Sequence, residues 1–275
     1  IGPGSVVAAA FIGPGTITMC SIAGAQFKYG LIWALIVSIL LTMFIQLTAI
    51  RIGLTTKNTL SNLIKDQFQS GLLKYTSISL IISAIFIGNS AYEAGNISGA
   101  VMGFELLFGK SFQFNQINIF SILSGILALP LIIFGNNKVL EKILIILVLI
   151  MSFSFVFTVF IVGIDFNLLL SSSNLFSFSS ESILTIAGLI GTTVVPYNIF
   201  LHVALVNNRW KSTKELRFAN FDTIVSISIG GLISLCILLT AAGLNNSDIL
   251  NAVDLAYSLQ PLYGDFSKYI VAIGL

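Results

Sequence analysis

At 275 residues, with 56% hydrophobic and 9% charged side chains, the chain lies outside the range of soluble domains, which carry about 25% charged residues. Its net charge of +2 says little in itself, and no nucleophile–base pair, metal-ligand cluster or phosphate-binding loop marks an enzyme. A helix needs about 20 apolar residues to cross the hydrocarbon core. Such runs predict seven spans, at about 5–26, 31–50, 76–104, 117–135, 143–163, 183–206 and 220–243, with an eighth beginning near 268 and cut off at Leu275. The first run has no basic start and continues through Gly13-Pro14-Gly15 into a second apolar half, so it is not a cleaved signal peptide.

Span one breaks at "GPGT", Gly13 to Thr16, and span six at "VVPYN", Val194 to Asn198. Proline removes a backbone donor and glycine lets the chain leave helical angles. In hydrocarbon the freed N–H and C=O groups persist only where protein or a watery cavity satisfies them. A lone proline, such as Pro130 in span four, needs no more than a kink. Two interruptions, each opening a block of five spans, point to an inverted-repeat transporter with its site at the midplane. The first repeat covers 1–164, and 183–275 forms an incomplete second one. Unpaired carbonyls at half-helix ends suit a hard cation, and unpaired N–H groups suit a carboxylate. The residues alone leave both readings open.

On span three, Asn89, Glu93 and Asn96 recur at helical spacing on one face, and an acidic group within a span is a functional candidate. Gly95, Gly99 and Gly103 form a small-residue ridge explained by close helix packing. Span five is plain scaffold. Glu93 and His202 are taken as the titratable groups left within spans, His202 as a packed residue near the inner end of span six. Cys20 and Cys236 read as small buried hydrophobes. Asn245 opens a glycosylation sequon of low specificity.

Lys and Arg fall at 51, 57, 65, 74, 138, 142, 209, 211, 214 and 217 after even-numbered spans, against only Lys28, Lys110 and Lys268 elsewhere. The positive-inside rule then places the N-terminus in the cytoplasm and the protein in a membrane, expected to be a bacterial plasma membrane. Orientation explains the basic loops without a nucleic-acid partner. The lipid bilayer is the implied partner, and oligomeric state is not encoded legibly.

The stretches "GPGSVVAAAFIGPGTITMCSIAGAQFKYGLIWALIVSILLTMFIQLTAIRIGL", "AYEAGNISGAVMGFELLFG" and "GLIGTTVVPYNIFLHVALVNNR" closely resemble the NRAMP family of divalent-metal transporters. The resemblance covers essentially the whole chain. It implies an all-α polytopic membrane protein of the LeuT type, with two inverted five-helix repeats, discontinuous helices 1 and 6, and truncation within helix 8. The family's first-helix motif, Asp-Pro-Gly-Asn, is here Gly13-Pro14-Gly15-Thr16, and its Met-Pro-His-Asn is here Val195-Pro196-Tyr197-Asn198. A residue that is usually alanine and offers its carbonyl is here Thr192. On span three, Glu93 takes the place of an aspartate, and Asn96 that of a glutamate associated with proton transfer.

A thioether helps select soft transition metals, so valine at 195 removes that preference. Loss of the aspartate leaves room for an ion that keeps part of its water shell, as Mg²⁺ does. The pattern resembles the family's divergent NRAMP-related magnesium transporter branch. The resemblance thus implies a site of Gly13, Thr16, Thr192, Val195, Tyr197 and Asn198, with Asn89, Glu93 and Asn96 behind it and Pro14, Gly15 and Pro196 as the helix breaks. The expected cargo is hydrated Mg²⁺, with Mn²⁺ as a second ion, moved by alternating access without obligatory proton coupling and without a resident cofactor. Two other readings stay open: transport of a small organic acid or amino acid on the same fold, and a receptor-like relative that no longer transports.

Overall fold

Each apolar run becomes helix in the computed structural model, which describes residues 2–67, 71–109, 113–114, 117–134, 137–170, 179–244 and 246–275. Lys110 and Asn245 lie outside the described residues. The helices are α1 (Pro3–Phe11), α2 (Pro14–Phe27), α3 (Ile32–Thr56), α4 (Leu60–Gln67), α5 (Leu72–Phe108), α6 (Ile119–Phe134), α7 (Asn137–Val162), α8 (Phe166–Leu170), α9 (Ser180–Thr193), α10 (Pro196–Arg209), α11 (Leu216–Gly243), α12 (Ala252–Ser258), α13 (Gln260–Tyr263) and α14 (Phe266–Gly274). Strands β1 (Gln113–Phe114) and β2 (Ile117–Asn118) form a minimal antiparallel pair before α6.

Among the described residues, four helical stretches, Ile32–Thr56, Leu72–Phe108, Ser180–Arg209 and Thr213–Gly243, are long and apolar enough to cross a membrane, and the broken pair α1–α2 makes a fifth. Within α6 and α7, from the predicted spans four and five, Ile119–Pro130 and Ile146–Val162 are apolar helix. Helices α4, α12 and α13, in the connections, were not anticipated from composition. Asn251 explains α12, since its side chain accepts from the N–H groups of Val253 and Asp254 while Asp254 returns a carboxylate to the Asn251 N–H.

Helix α11 lies at the centre, packing on α1, α2, α3 and α7. Small residues permit this closeness, as is usual where lipid removes the hydrophobic drive between helices. Gly24 of α2 sits against the Leu238 carbonyl, and Gly230 of α11 against the Phe11 ring. Hydroxyls in the spans fold back on their own helices: Ser38 donates to the Ala34 carbonyl at 2.8 Å, Thr42 to Ser38 at 2.8 Å and Ser234 to Gly230 at 3.1 Å. Each of these three hydroxyls is thereby satisfied without a partner from another helix. Cys20 and Cys236 are buried, unlinked members of the apolar cluster, as expected.

Connections distant in sequence meet in two places. Asn207 at the end of α10 donates to the Asn58 carbonyl after α3 at 3.2 Å, and Lys57 and Lys211 line one cleft there. Elsewhere, Lys28 donates to the Ala242 carbonyl at 3.2 Å, and the Asp165 N–H donates to the Tyr29 hydroxyl at 3.1 Å.

Candidate functional site at the two helix breaks

The unwound segments are shorter than the motifs that announced them. Only Ile12 and Gly13 leave helical conformation in span one, and only Val194 and Val195 in span six; Pro14 and Pro196 already open the next helices. Gly15, Thr16, Tyr197 and Asn198 therefore stand in first helical turns. Proline explains the economy: its fixed φ suits the first helical position, and its ring pushes the residue before it into extended backbone. Gly13 has φ −142° and ψ −171°, and Val195 has φ −99° and ψ 116°.

One residue earlier the two breaks nearly superimpose. Ile12 has φ −87° and ψ 88°, and Val194 has φ −90° and ψ 85°. Each donates its N–H to the carbonyl four residues back, Ile12 to Ala8 at 3.2 Å and Val194 to Ile190 at 2.8 Å. In each case the following proline would have had to supply the donor for the carbonyl four residues before it, Ala10 for Pro14 and Thr192 for Pro196, and it has no N–H to give. The carbonyl ends of α1 and α9 carry the negative pole of each half-helix, while neither α2 nor α10 has a side-chain cap on its N–H end.

Span three brings the breaks together. The ring of Pro14 packs on Gly99 so closely that no Cβ fits there. A Cβ on Gly13 would lie 3.8 Å from the Asn96 Oδ1, and one on Gly15 would lie 3.4 Å from the Thr192 Cγ2. Asn96 donates to the Glu93 carboxylate at 3.4 Å, so the acid is held by the amide whose oxygen lies on the Gly13 side. Tyr92, a residue the sequence reading passed over, donates its hydroxyl to the orphaned Thr192 carbonyl at 3.0 Å. Its ring meets Tyr197 edge-on, with centroids 5.6 Å apart, and Tyr197 is within electrostatic reach of Glu93. The polarity of Tyr92, next to the one acid of its face, was the available signal.

The remaining candidates divide by what they have free. Thr16 is buried and donates its hydroxyl to the Phe11 carbonyl across the break, which leaves its oxygen able to accept. Asn198 is 1% exposed, and its Oδ1 is buried with no partner among the described residues. Asn89 likewise has a buried, unpartnered Oδ1, one turn before Glu93 on α5. The Thr192 hydroxyl is turned to the Leu189 carbonyl at 3.2 Å. Val195 is buried in the apolar cluster, and its carbonyl accepts from the Asn198 N–H at 3.2 Å. Among the described residues, no three His, Cys, Asp or Glu side chains converge on a common point.

Two groups lie apart from the breaks. His202 is fully buried, with Nδ1 2.8 Å from the Gln46 Oε1 and Nε2 3.4 Å from the Thr223 hydroxyl, and so ties α10 to α3 and α11 as a packed residue. The expectation that Glu93 and His202 complete the titratable set of the spans is corrected by Asp222. That carboxylate lies in the second turn of α11 and accepts from the Gly4 N–H at 2.7 Å, where it meets the positive pole of α1.

This geometry has solved counterparts. The manganese transporter of Eremococcus coleocola, in complex with an aromatic bis-isothiourea substituted compound, matches with a TM-score of 0.72 at 19% identity over 99% of this chain, and a mutant of that transporter with 0.75 at 18%. Such likeness establishes the fold, an all-helical LeuT-type arrangement with helices one and six discontinuous. Proteins of Yersinia pestis and Yersinia pseudotuberculosis, each named "Divalent metal cation transporter MntH", are 26% identical over 295 aligned residues, which take in 100% of this chain. The chain spans 67% of the length of those relatives and 61% of the solved chains. The sequence profile of the family described as natural resistance-associated macrophage protein-like, Nramp, matches residues 4–275, and the chain belongs to that family.

Proposed function

We propose that the protein carries a hard divalent cation across the membrane, Mg²⁺ foremost and Mn²⁺ second, by alternating access about the two breaks. One observation carries the reading: among the described residues each break leaves an acceptor oxygen without a donor, the Ala10 carbonyl in span one and the Asn198 Oδ1 in span six. Acceptors left unpaired among helices are costly unless a cation or water meets them. With no cluster of carboxylates, thiolates or imidazoles among the described residues to strip an ion, the cation keeps much of its water shell, which is the habit of Mg²⁺. The relatives named as manganese or divalent-metal transporters support the class of cargo.

In this reading Thr16 and the carbonyls of Ala10 and Thr192 face the hydrated ion, with Asn198 and Tyr197 across from them. Val195 bounds the site without supplying a ligand atom. Glu93 lends negative potential through Asn96, and Asn89 extends that polar face. The inverted repeats of 1–164 and 183–275 account for the matched dihedrals of the breaks, and the basic connections lie on the cytoplasmic side. Driving force comes from the membrane potential, about 2.3 kcal/mol per charge per 100 mV, without a proton partner.

The test is flux into liposomes holding the full-length protein under an imposed potential, with Mg²⁺ and Mn²⁺ compared and a pH dye inside. Saturable Mg²⁺ entry without acidification is expected. Acidification in step with ion entry would overturn the uncoupled mechanism. Absence of flux from folded protein would overturn the cation reading and favour a carboxylate substrate at the uncapped ends of α2 and α10.

A further inference from the structure

A groove of about 360 Å³ lies between α1, α7 and α11, reaching the first break only at Ile12, and its volume is in the range of small-molecule sites, about 300–1,000 Å³. Its floor is made of small residues, among them Ala8, Ala9 and Gly230. Its rim is Leu149, Phe221, Val225 and Ile229, all large, apolar and exposed. Within a membrane-spanning segment such a rim faces hydrocarbon, so the groove opens sideways to lipid tails.

The end of the groove is polar in a way that a simple tail pocket is not. Phe221 is shared with a neighbouring depression lined by Arg217 and Asn220. Arg217 is exposed, and the Asn220 Oδ1 is buried without a partner among the described residues. A guanidinium is suited to a phosphate, and a lone amide oxygen requires a donor. The separation of an apolar groove from an adjoining cation and acceptor matches a phospholipid that has both a phosphate and an N–H or O–H donor in its head group. Phosphatidylethanolamine and phosphatidylglycerol qualify, and phosphatidylcholine, lacking a donor, does not.

We propose that this groove binds one phospholipid of that class, its acyl chain between α1, α7 and α11 and its head group on Arg217 and Asn220. The bound chain braces α1, the first half of the broken span, against α7 and α11. Any movement of α1 away from α11 would remove one wall of the site, so lipid occupancy favours the position of α1 described above. Asp222, holding the Gly4 N–H at 2.7 Å, secures the same contact from the polar end.

The experiment uses the full-length protein in nanodiscs of equal parts phosphatidylethanolamine, phosphatidylglycerol and phosphatidylcholine, with a trace of phospholipid bearing a diazirine in its acyl chain. No ion flux is measured, so failure here is distinguishable from failure of the transport reading, and the proposal rests only on the chain lying in a bilayer. Photolabel is expected on residues 5–12 and 225–230, and native mass spectrometry should show the two donor-bearing lipids retained about tenfold over phosphatidylcholine. Ser226→Phe, which fills the groove, should remove the label. Arg217→Gln, at an exposed position that folding does not depend on, should reduce retention at least fivefold. Label absent from the groove, because another segment of the protein covers it, would overturn the site. Unchanged labelling in Ser226→Phe would do the same, and equal retention of phosphatidylcholine or of the Arg217→Gln variant's lipid would overturn the head-group assignment.

Discussion

The two helix breaks share a backbone and differ in what completes them. Thr16 and Asn198 are equivalent, each the third residue of the second half-helix, and each is 1% exposed. Thr16 spends its proton on the Phe11 carbonyl, inside its own span, while the Asn198 Oδ1 has no donor among the described residues. The proline-orphaned carbonyls reverse the pattern. That of Thr192 is met by Tyr92 from α5, 100 residues away, and that of Ala10 receives no donor among the described residues. Span one is therefore closed locally and span six from a distance, yet in each an acceptor oxygen has no donor among the described residues. Span one is also bent by 56° at its break, the only such pair bent beyond 40° among the described residues. The lesson is that proline sets the shape of a break, whereas its neighbours decide which atom is left for an ion.

The largest effect should come from separating the breaks. Gly99 has the Pro14 ring where a Cβ would stand, while Gly95, one turn earlier, has open space within 4 Å. Gly99→Leu should force α5 away from span one, cost about 1–3 kcal/mol by overpacking, and abolish ion uptake. Gly95→Ala should leave both unchanged or slightly improved, since alanine favours helix by about 1 kcal/mol. Thermal denaturation and liposome flux measured on the pair decide the matter. Equal effects at 95 and 99 would show that the ridge, and not the Pro14 contact, governs the site.

Next in size is Glu93→Gln. The substitution keeps an amide in reach of Asn96 and removes only the charge near Tyr197. Uptake of Mg²⁺ should fall about tenfold, equivalent to about 1.4 kcal/mol. Undiminished uptake would dismiss Glu93 as the source of negative potential. Asn198→Ala should be milder, about fivefold, because it removes one unpartnered oxygen and leaves the hydration shell to compensate. Its protein should lose little stability, since no protein donor is deprived of a partner.

How much of this was legible in the sequence follows from the range of each interaction. The breaks themselves were readable, because proline acts on the residue before it and the carbonyl four back. So were the burial of the two cysteines and the packing role of His202. The extent of unwinding was overstated: Gly15, Thr16, Tyr197 and Asn198 look irregular in a motif, but proline at the first helical position restores helix at once. Tyr92 and Asp222 were missed for a different reason. Their partners are 100 and 218 residues distant, and no spacing rule spans such separations. Asp222 did carry a signal, an acidic residue inside a predicted span, and its partner is the N–H end of α1.

The finest test of the comparison pairs Thr16→Ala with Tyr92→Phe. Each removes one hydroxyl that closes one break, and each should cost about 1 kcal/mol of stability, the net worth of an ordinary hydrogen bond. Their effects on transport should differ. Thr16→Ala takes away an oxygen facing the ion and should weaken Mg²⁺ uptake modestly, two- to fivefold. It also returns the Phe11 carbonyl to the cavity, which limits the loss. Tyr92→Phe takes no oxygen from the ion and frees the Thr192 carbonyl, so apparent affinity should hold or rise slightly while thermal stability falls. A double variant should be close to additive in stability, because the two hydroxyls close different carbonyls. If Tyr92→Phe instead lowers affinity as much as Thr16→Ala, Tyr92 faces the ion itself, and span six is closed by a group that also binds.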